Sequence, residues 1–381
     1  MEGPVKGVEF LAELREKGIK KKPNFRDLSK LLDEKARKKG IPISGQFELT
    51  PLCNLRCKMC YVQMTPEQLA GRSVLSVSEW KNLMTQAFQA GMFRASLTGG
   101  ECLAYPGFDE LYLHLHSLGC EVTVLTNGVL LDEKRIQFFR EHKPADIQVT
   151  LYGWNDDVYE RVTGKRVFET VARNIRMALD ARMSVTLTIT PSIYLGEDAL
   201  ETVRFARSLT RNVVINPMVF TPREETGRSG QTDDPGMDLY VRLFRLLDEL
   251  DGQEIREIPV EQLPAPGGPC HTCTECGIRC GAGRSAFSVD WKGTLQACGR
   301  LDAVKGYPLE EGFRTAWTRI NGWANKAPRV PECDGCAYEG ICDNCAANVL
   351  IFAEPGKQPT GLCERTMYLV RNGVRQMPDC E

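Results

Sequence analysis

Between residues 45 and 220 the chain alternates short β-rich runs with amphipathic helical stretches, six times over, and this repeat is what most limits its fold. The β-rich runs cover 46–50, 94–98, 121–125, 147–152, 184–190 and 213–219. Between them, apolar residues recur at helical spacing. Trp80, Leu83, Met84, Ala87 and Phe88 follow a capping box at Ser76 and Glu79 and stop at Gly91. Leu111, Leu115 and Leu118 before Gly119 repeat the pattern, as do Val171, Ile175, Ala178 and Leu179. Six βα units in series imply an α/β fold with a parallel sheet and right-handed crossovers. Ligands of such folds bind at the carboxyl ends of the strands. The turn motifs fall there: Thr98-Gly-Gly-Glu101, Thr126-Asn-Gly128, Thr150-Leu-Tyr-Gly153, Thr190-Pro-Ser192 and Asn216-Pro-Met218 each close a predicted strand.

Composition excludes several classes of partner. A net charge of −2 gives no bulk attraction for nucleic acid, and no apolar run approaches the length of a membrane span. The polar, lysine-rich start carries no signal-peptide pattern, so a cytoplasmic location is expected. The 16 cysteines of the 381 residues are then metal ligands rather than disulfides. Their distribution is uneven. Three lie at 53–60, Cys102 and Cys120 stand alone, and the rest crowd into 270–380. Two metal-bearing regions follow from this.

The loop after the first strand, Thr50-Pro-Leu-Cys-Asn-Leu-Arg-Cys-Lys-Met-Cys-Tyr61, supplies thiolates from Cys53, Cys57 and Cys60. Cysteines this close are poorly placed to bridge one another, and zinc would want a fourth ligand. Four thiolates would close a 4Fe–4S cube, whereas three leave one iron open to bind and activate something else.

This pattern resembles the cluster motif of radical S-adenosylmethionine (SAM) enzymes. Residues 45–220 resemble that superfamily's partial (β/α)6 TIM-like barrel. The resemblance implies that Cys53, Cys57 and Cys60 hold a 4Fe–4S cluster whose open iron takes the methionine end of SAM. It implies reductive cleavage of SAM to a 5′-deoxyadenosyl radical, with electrons from a flavodoxin- or ferredoxin-type donor. Gly99, Gly100 and Glu101 correspond to the motif that binds the methionine amino group; glycines admit close backbone approach and the carboxylate complements an ammonium. Thr150 matches a ribose-binding hydroxyl, and Arg161, in Tyr159-Glu-Arg-Val-Thr-Gly164, matches a partner of the SAM carboxylate. Two positions depart from the pattern. Met59 stands where an aromatic residue is usual, and Cys102 replaces the usual proline, which puts a thiol beside the site that could donate a hydrogen atom.

The C-terminal cysteines, Cys280, Cys298, Cys333, Cys336, Cys342, Cys345 and Cys363, with Gly293 between the first two, resemble the SPASM domain. That family carries two auxiliary 4Fe–4S clusters, making three clusters in all. Its interleaved scheme assigns Cys333, Cys336, Cys342 and Cys363 to auxiliary cluster II. Cys280, Cys298 and Cys345 would share auxiliary cluster I with one of Cys270, Cys273 or Cys276. A pair of zinc ribbons is the structural alternative for this array. The expected organisation is a basic helical extension at 1–44, the barrel at 45–225, a linker and helix at 226–264, and the cysteine-rich iron–sulfur SPASM domain at 265–381.

Enzymes of this type act mostly on peptides. The expected activity is modification of a ribosomally made peptide by a thioether or carbon–carbon crosslink, or by epimerisation. A sulfatase-maturing type of protein oxidase is one alternative, disfavoured because Gly299 follows Cys298 where that type places an aspartate base. Dehydrogenation or rearrangement of a small molecule is another. Forty-four leading residues are too few for a winged-helix leader-recognition domain. Recognition is therefore expected to use a separate partner protein, the basic N-terminal helices, with twelve Lys/Arg against seven Asp/Glu in that segment, or no leader at all.

Overall fold

The computed structural model describes residues 25–216, 219, 223, 235–253, 257–259, 263, 280–327, 336–338, 341–342 and 360–375. Helix α1 (Phe25–Lys39) leads in, as the basic helical segment predicts, and three cations in its last turn complement its dipole. The repeat then runs β1 (Ser44–Glu48), α2 (Pro66–Leu69), α3 (Val77–Gln89), β2 (Arg94–Thr98), α4 (Phe108–Ser117), β3 (Glu121–Thr126) and α5 (Glu133–Glu141). It continues with β4 (Asp146–Leu151), α6 (Asp156–Thr163), α7 (Phe168–Asp180), β5 (Val185–Ile189), α8 (Asp198–Leu209) and β6 (Val213–Ile215). All neighbouring pairs among β1–β6 are parallel and consecutive.

Period-2 alternation explains why these strands curve around a hollow. In β4, Ile147, Val149 and Leu151 are buried, while Asp146, Gln148 and Thr150 are half-buried. In β5, Val185, Leu187 and Ile189 are buried and the threonines between them are not. The apolar set packs under the helices. Gln148 and Thr150, with Gln46, Thr98 and Thr188, line a concave interior, giving a partial barrel with a polar inner face. The capping box read at the start of α3 is present, with both Ser76 and Glu79 bonded reciprocally.

The sheet does not stop at β6. After α9 (Met237–Leu250) come β7 (Ala286–Val289), β8 (Leu295–Gln296) and β9 (Lys305–Gly306), then α10 (Pro308–Glu311), α11 (Phe313–Lys326) and α12 (Thr360–Arg371). Strand β7 lies parallel to β1 on the side away from β2, and β8 and β9 follow antiparallel. The nine-stranded order is β6-β5-β4-β3-β2-β1-β7-β8-β9. The first hairpin of the cysteine-rich region is thereby built onto the barrel's own edge.

One ring secures this junction. Phe287 packs edge-on against Phe47 of β1 (centroids 5.9 Å apart) and Phe313 of α11 (5.0 Å). Phe47 in turn meets Trp80 of α3 at 6.0 Å. Gly45 makes room for the ring, since a Cβ there would sit 2.4 Å from Phe287 Cζ. Removing the ring opens a cavity among fully packed neighbours, so Phe287→Ala is expected to cost about 3–5 kcal/mol. Urea unfolding measures this.

Candidate active site

The cysteine loop leaves β1 and is pinned on two sides. On one side, Gly100 N donates to Thr50 O (2.7 Å) and Glu101 N to Leu52 O (2.9 Å). On the other, Arg56 N donates to Thr163 O (2.9 Å) and Lys58 N to Val162 O (3.0 Å), at the end of α6. Leu55 and Met59 are buried, and Met59 stands with Cys57 and Cys60 on the wall of one cavity. The two glycines are required by this contact. A Cβ on Gly99, whose φ is +140°, would lie 2.4 Å from Thr50 O, and one on Gly100 would lie 2.3 Å from Leu52 O. The Gly-Gly step is therefore where two backbones press together, a reason for it that the motif alone does not carry.

Two of the three half-buried thiols accept hydrogen bonds. Leu55 N donates to Cys53 Sγ at 3.4 Å, Gln63 N to Cys60 Sγ at 3.3 Å, and Asn127 Nδ2 to Cys53 Sγ at 3.5 Å. The Tyr152 phenol lies near the Cys57 thiol and favours its thiolate, by less than burial opposes it. Such donors stabilise thiolates in iron–sulfur sites. Burial nonetheless pushes the Cys53 thiol up to about 12, and Cys57 well above its ordinary value. These sulfurs become thiolates only with a cationic centre between them. Among the described residues, no three His, Cys, Asp or Glu groups converge as ligands of a single metal ion. Cys53, Cys57 and Cys60 lie within electrostatic reach of one another, and three such sulfurs would each serve a separate iron of a cube.

Glu101 acts from behind the cavity wall. Its buried carboxylate accepts from Thr126 Oγ1 (2.8 Å), Asn127 N (2.8 Å) and Leu103 N (3.1 Å). Burial raises its pKa against the pull of these donors. Asn127, so fixed, donates to Asn54 Oδ1 at 2.7 Å as well as to Cys53. Glu101 thus positions the cysteine loop through the end of β3. Asn127 and Tyr152 were legible only as an Asn-Gly turn and a strand end, because the partners that give them a role come from distant parts of the chain.

Beside the cysteine loop the concave interior forms a cavity of about 500 Å³, in the range of small-molecule sites. Cys57, Cys60, Gly99, Gly100, Thr150 and Tyr152 line it. Cys53 and Glu101 are not on its lining but bond to Asn127, which is, and two further expected residues lie elsewhere. The Arg161 guanidinium donates to Tyr194 O (2.9 Å) and pairs with Asp198, on the exposed outer side of α6, so it is committed away from the cavity. Cys102 is fully buried and its thiol donates to Leu125 O at 3.1 Å, which makes it a packed thiol rather than a hydrogen donor to the cavity. Arg161→Ala is expected to leave 5′-deoxyadenosine formation within about twofold of wild type, and Cys102→Ala to cost about 1 kcal/mol of stability at similar activity.

Of the C-terminal array, Cys280 is exposed, and Cys298, Cys336, Cys342 and Cys363 are half-buried. Thr366 Oγ1 donates to Cys342 Sγ at 3.2 Å. Cys270, Cys273, Cys276, Cys333, Cys345 and Cys380 lie outside the described residues.

A three-cysteine loop at the mouth of a partial parallel barrel, with a small-molecule cavity against it, is the arrangement that the radical SAM resemblance implies. Residues 47–209, which carry the cysteine loop, the Gly-Gly-Glu turn and the strands around the cavity, match the Radical SAM superfamily. The chain is 24% identical over 322 residues to the antilisterial bacteriocin subtilosin biosynthesis protein AlbA of Bacillus subtilis (strain 168), covering 80% of this chain and 67% of that protein. It is 25% identical over 324 residues to the AdoMet-dependent heme synthase of Methanosarcina barkeri (strain Fusaro / DSM 804), covering 79% of this chain and 90% of that protein. Streptococcus suis SuiB bound to S-adenosylmethionine shares the fold, with a TM-score of 0.64 over 94% of this chain and 88% of SuiB, at 15% identity. Among the described residues, no helix is long and apolar enough to cross a membrane.

Proposed function

We propose that this chain modifies a ribosomally made peptide by hydrogen abstraction, ending in a thioether or carbon–carbon crosslink or an epimerised residue. The observation that carries the reading is the cavity wall, where Cys57 and Cys60 stand beside Gly99 and Gly100 at the open end of the strands. With Cys53 they would hold the cluster that, once reduced, cleaves SAM and supplies a hydrogen-abstracting radical. The chain's own part is placement. Asn127 bonds the Cys53 sulfur, Tyr152 stands beside Cys57, the glycine step leaves room for the amino-acid end of SAM, and Thr150 lines the same space. Cys280, Cys298, Cys345 and one of Cys270, Cys273 or Cys276 would hold one auxiliary cluster, and Cys333, Cys336, Cys342 and Cys363 a second. The expected domain division, with the cysteine-rich part from 265 onward, belongs to the same proposal.

The likeness to a bacteriocin biosynthesis protein across most of this chain supports a peptide substrate, and SuiB has also been crystallised bound to its precursor peptide SuiA. The likeness to a heme synthase favours a second reading, oxidation of a small molecule. A sulfatase-maturing type of oxidation gains no support. A Cβ at Gly299 would already lie 3.3 Å from Arg223 Nη2 and Ser288 Oγ, so an aspartate base would crowd that position.

The test is anaerobic incubation of reconstituted enzyme with SAM, reductant and candidate precursor peptides, read by mass spectrometry. Crosslinking removes two hydrogens from the peptide, and epimerisation in deuterated water replaces one hydrogen by deuterium. Turnover of a porphyrin precursor with every peptide unchanged would establish the small-molecule reading instead.

A further inference from the structure

Arg223 touches three separated parts of the chain. Its backbone N–H donates to Tyr61 O at 3.1 Å, next to Cys60. Its guanidinium forms a two-pronged pair with Glu48 at the end of β1, Nη1 to Oε2 at 2.7 Å and Nη2 to Oε1 at 2.8 Å. Nη2 also donates to Gly299 O at 2.9 Å, next to Cys298. The Glu48 side chain is 2% exposed and that of Arg223 20%. A planar fork can meet two carboxylate oxygens and a carbonyl together, which a lysine ammonium does not reproduce. The Tyr61 ring lies under the guanidinium at 5.5 Å, and its phenol is within electrostatic reach of both Cys60 and Cys298.

We propose that Arg223 is a positioning residue that fixes the spacing between the Cys53–Cys57–Cys60 site and the Cys298 site, by clamping the immediate neighbours of Cys60 and Cys298 to Glu48. This rests on the reading that Cys60 and Cys298 ligate different clusters. The clamp reaches from the chain beyond β6, one edge of the sheet, to the end of β1 and the turn after β8, neither of which is hydrogen-bonded to β6 in the sheet. Backbone contact to Tyr61 survives any substitution at 223, so the side chain's loss falls on the Gly299 and Cys298 side. Removing the arginine also leaves Glu48 as an uncompensated buried charge, which drives that side apart.

The experiment compares wild type, Arg223→Met, Arg223→Lys and Cys298→Ala after reconstitution, by iron content, by cryogenic EPR of the reduced protein, and by SAM cleavage. In wild type the two reduced centres broaden each other's signals, an effect that falls with the cube of their separation. Arg223→Met is expected to keep the wild-type iron content and the SAM-dependent change in the first cluster's signal, but to lose the broadening. Arg223→Lys recovers it only in part. Unchanged broadening in Arg223→Met at full iron content overturns the proposal. Where Arg223→Met fails to fold, Glu48→Gln, which removes the charge and keeps the Gly299 contact, is judged on the same signals. Failure of the underlying reading looks different: Cys298→Ala then leaves iron content and every signal as in wild type.

Discussion

Cys57→Ala is expected to bring 5′-deoxyadenosine formation down to background, a loss of more than about 100-fold, while the protein stays folded. Cys57 lines the cavity, and its thiol is raised well above its ordinary pKa by burial, then by the neighbouring Cys60 and Cys53. In the metal-free protein Cys57 packs against the core as a neutral thiol, and alanine keeps its β-carbon there, so the fold is expected to tolerate the change. The thiol's energetic return comes from the cluster, because a cube held by two thiolates in place of three is poorly retained. Asn127→Ala provides the contrast. It keeps all three ligands but removes the donor to Cys53 Sγ and to Asn54. Loss of an outer partner of this kind typically costs 10–100-fold, so about tenfold in activity or iron affinity is expected. Iron content and 5′-deoxyadenosine yield, measured on the same samples, separate the two cases.

Gly100→Ala is expected to be the most damaging change that touches no ligand. The added methyl would meet Leu52 O at 2.3 Å, Leu52 C at 2.7 Å and Pro51 O at 2.7 Å. All three are backbone atoms, which cannot swing aside as a side chain can. Relief requires the cysteine loop to lift from the strand end, breaking the 2.7 Å bond from Gly100 N to Thr50 O. We expect a stability loss of about 3 kcal/mol together with failure to retain the SAM cluster. Gly119→Ala is the control. It also has positive φ, +79°, but nothing lies within 4 Å of its added Cβ, so it should cost about 1 kcal/mol and leave iron content intact. Thermal unfolding and iron assay of the two variants give the comparison.

Most of the barrel was legible because its signals are local. Alternation within each strand and the Ser76–Glu79 capping box act over a few residues, and 94–98 came out as β2 with no shift in its ends. Strand β6 covers Val213–Ile215, and Asn216 N still donates to Ile189 O at the end of β5; 217 and 218 of its apolar run lie outside the described residues. Strands β7 to β9 escaped notice. They are two to four residues long, and β7 finds its partner in β1, far back in the chain. The candidate site divides in the same way. Three cysteines in one loop announce themselves. Whether Arg161 or Cys102 faces the cavity depends on which side of a helix or turn it occupies, and the pairing of Glu48 with Arg223 spans 175 positions. No local pattern encodes contacts of that kind.

The most direct test of the account is 5′-deoxyadenosine release from anaerobically reconstituted protein supplied with SAM and a strong reductant, beside Cys53→Ala and a total metal analysis. The account predicts release by wild type, none by the variant, and about twelve irons per chain if all three clusters are filled. Bound zinc in place of iron, with no 5′-deoxyadenosine from either protein, would contradict it.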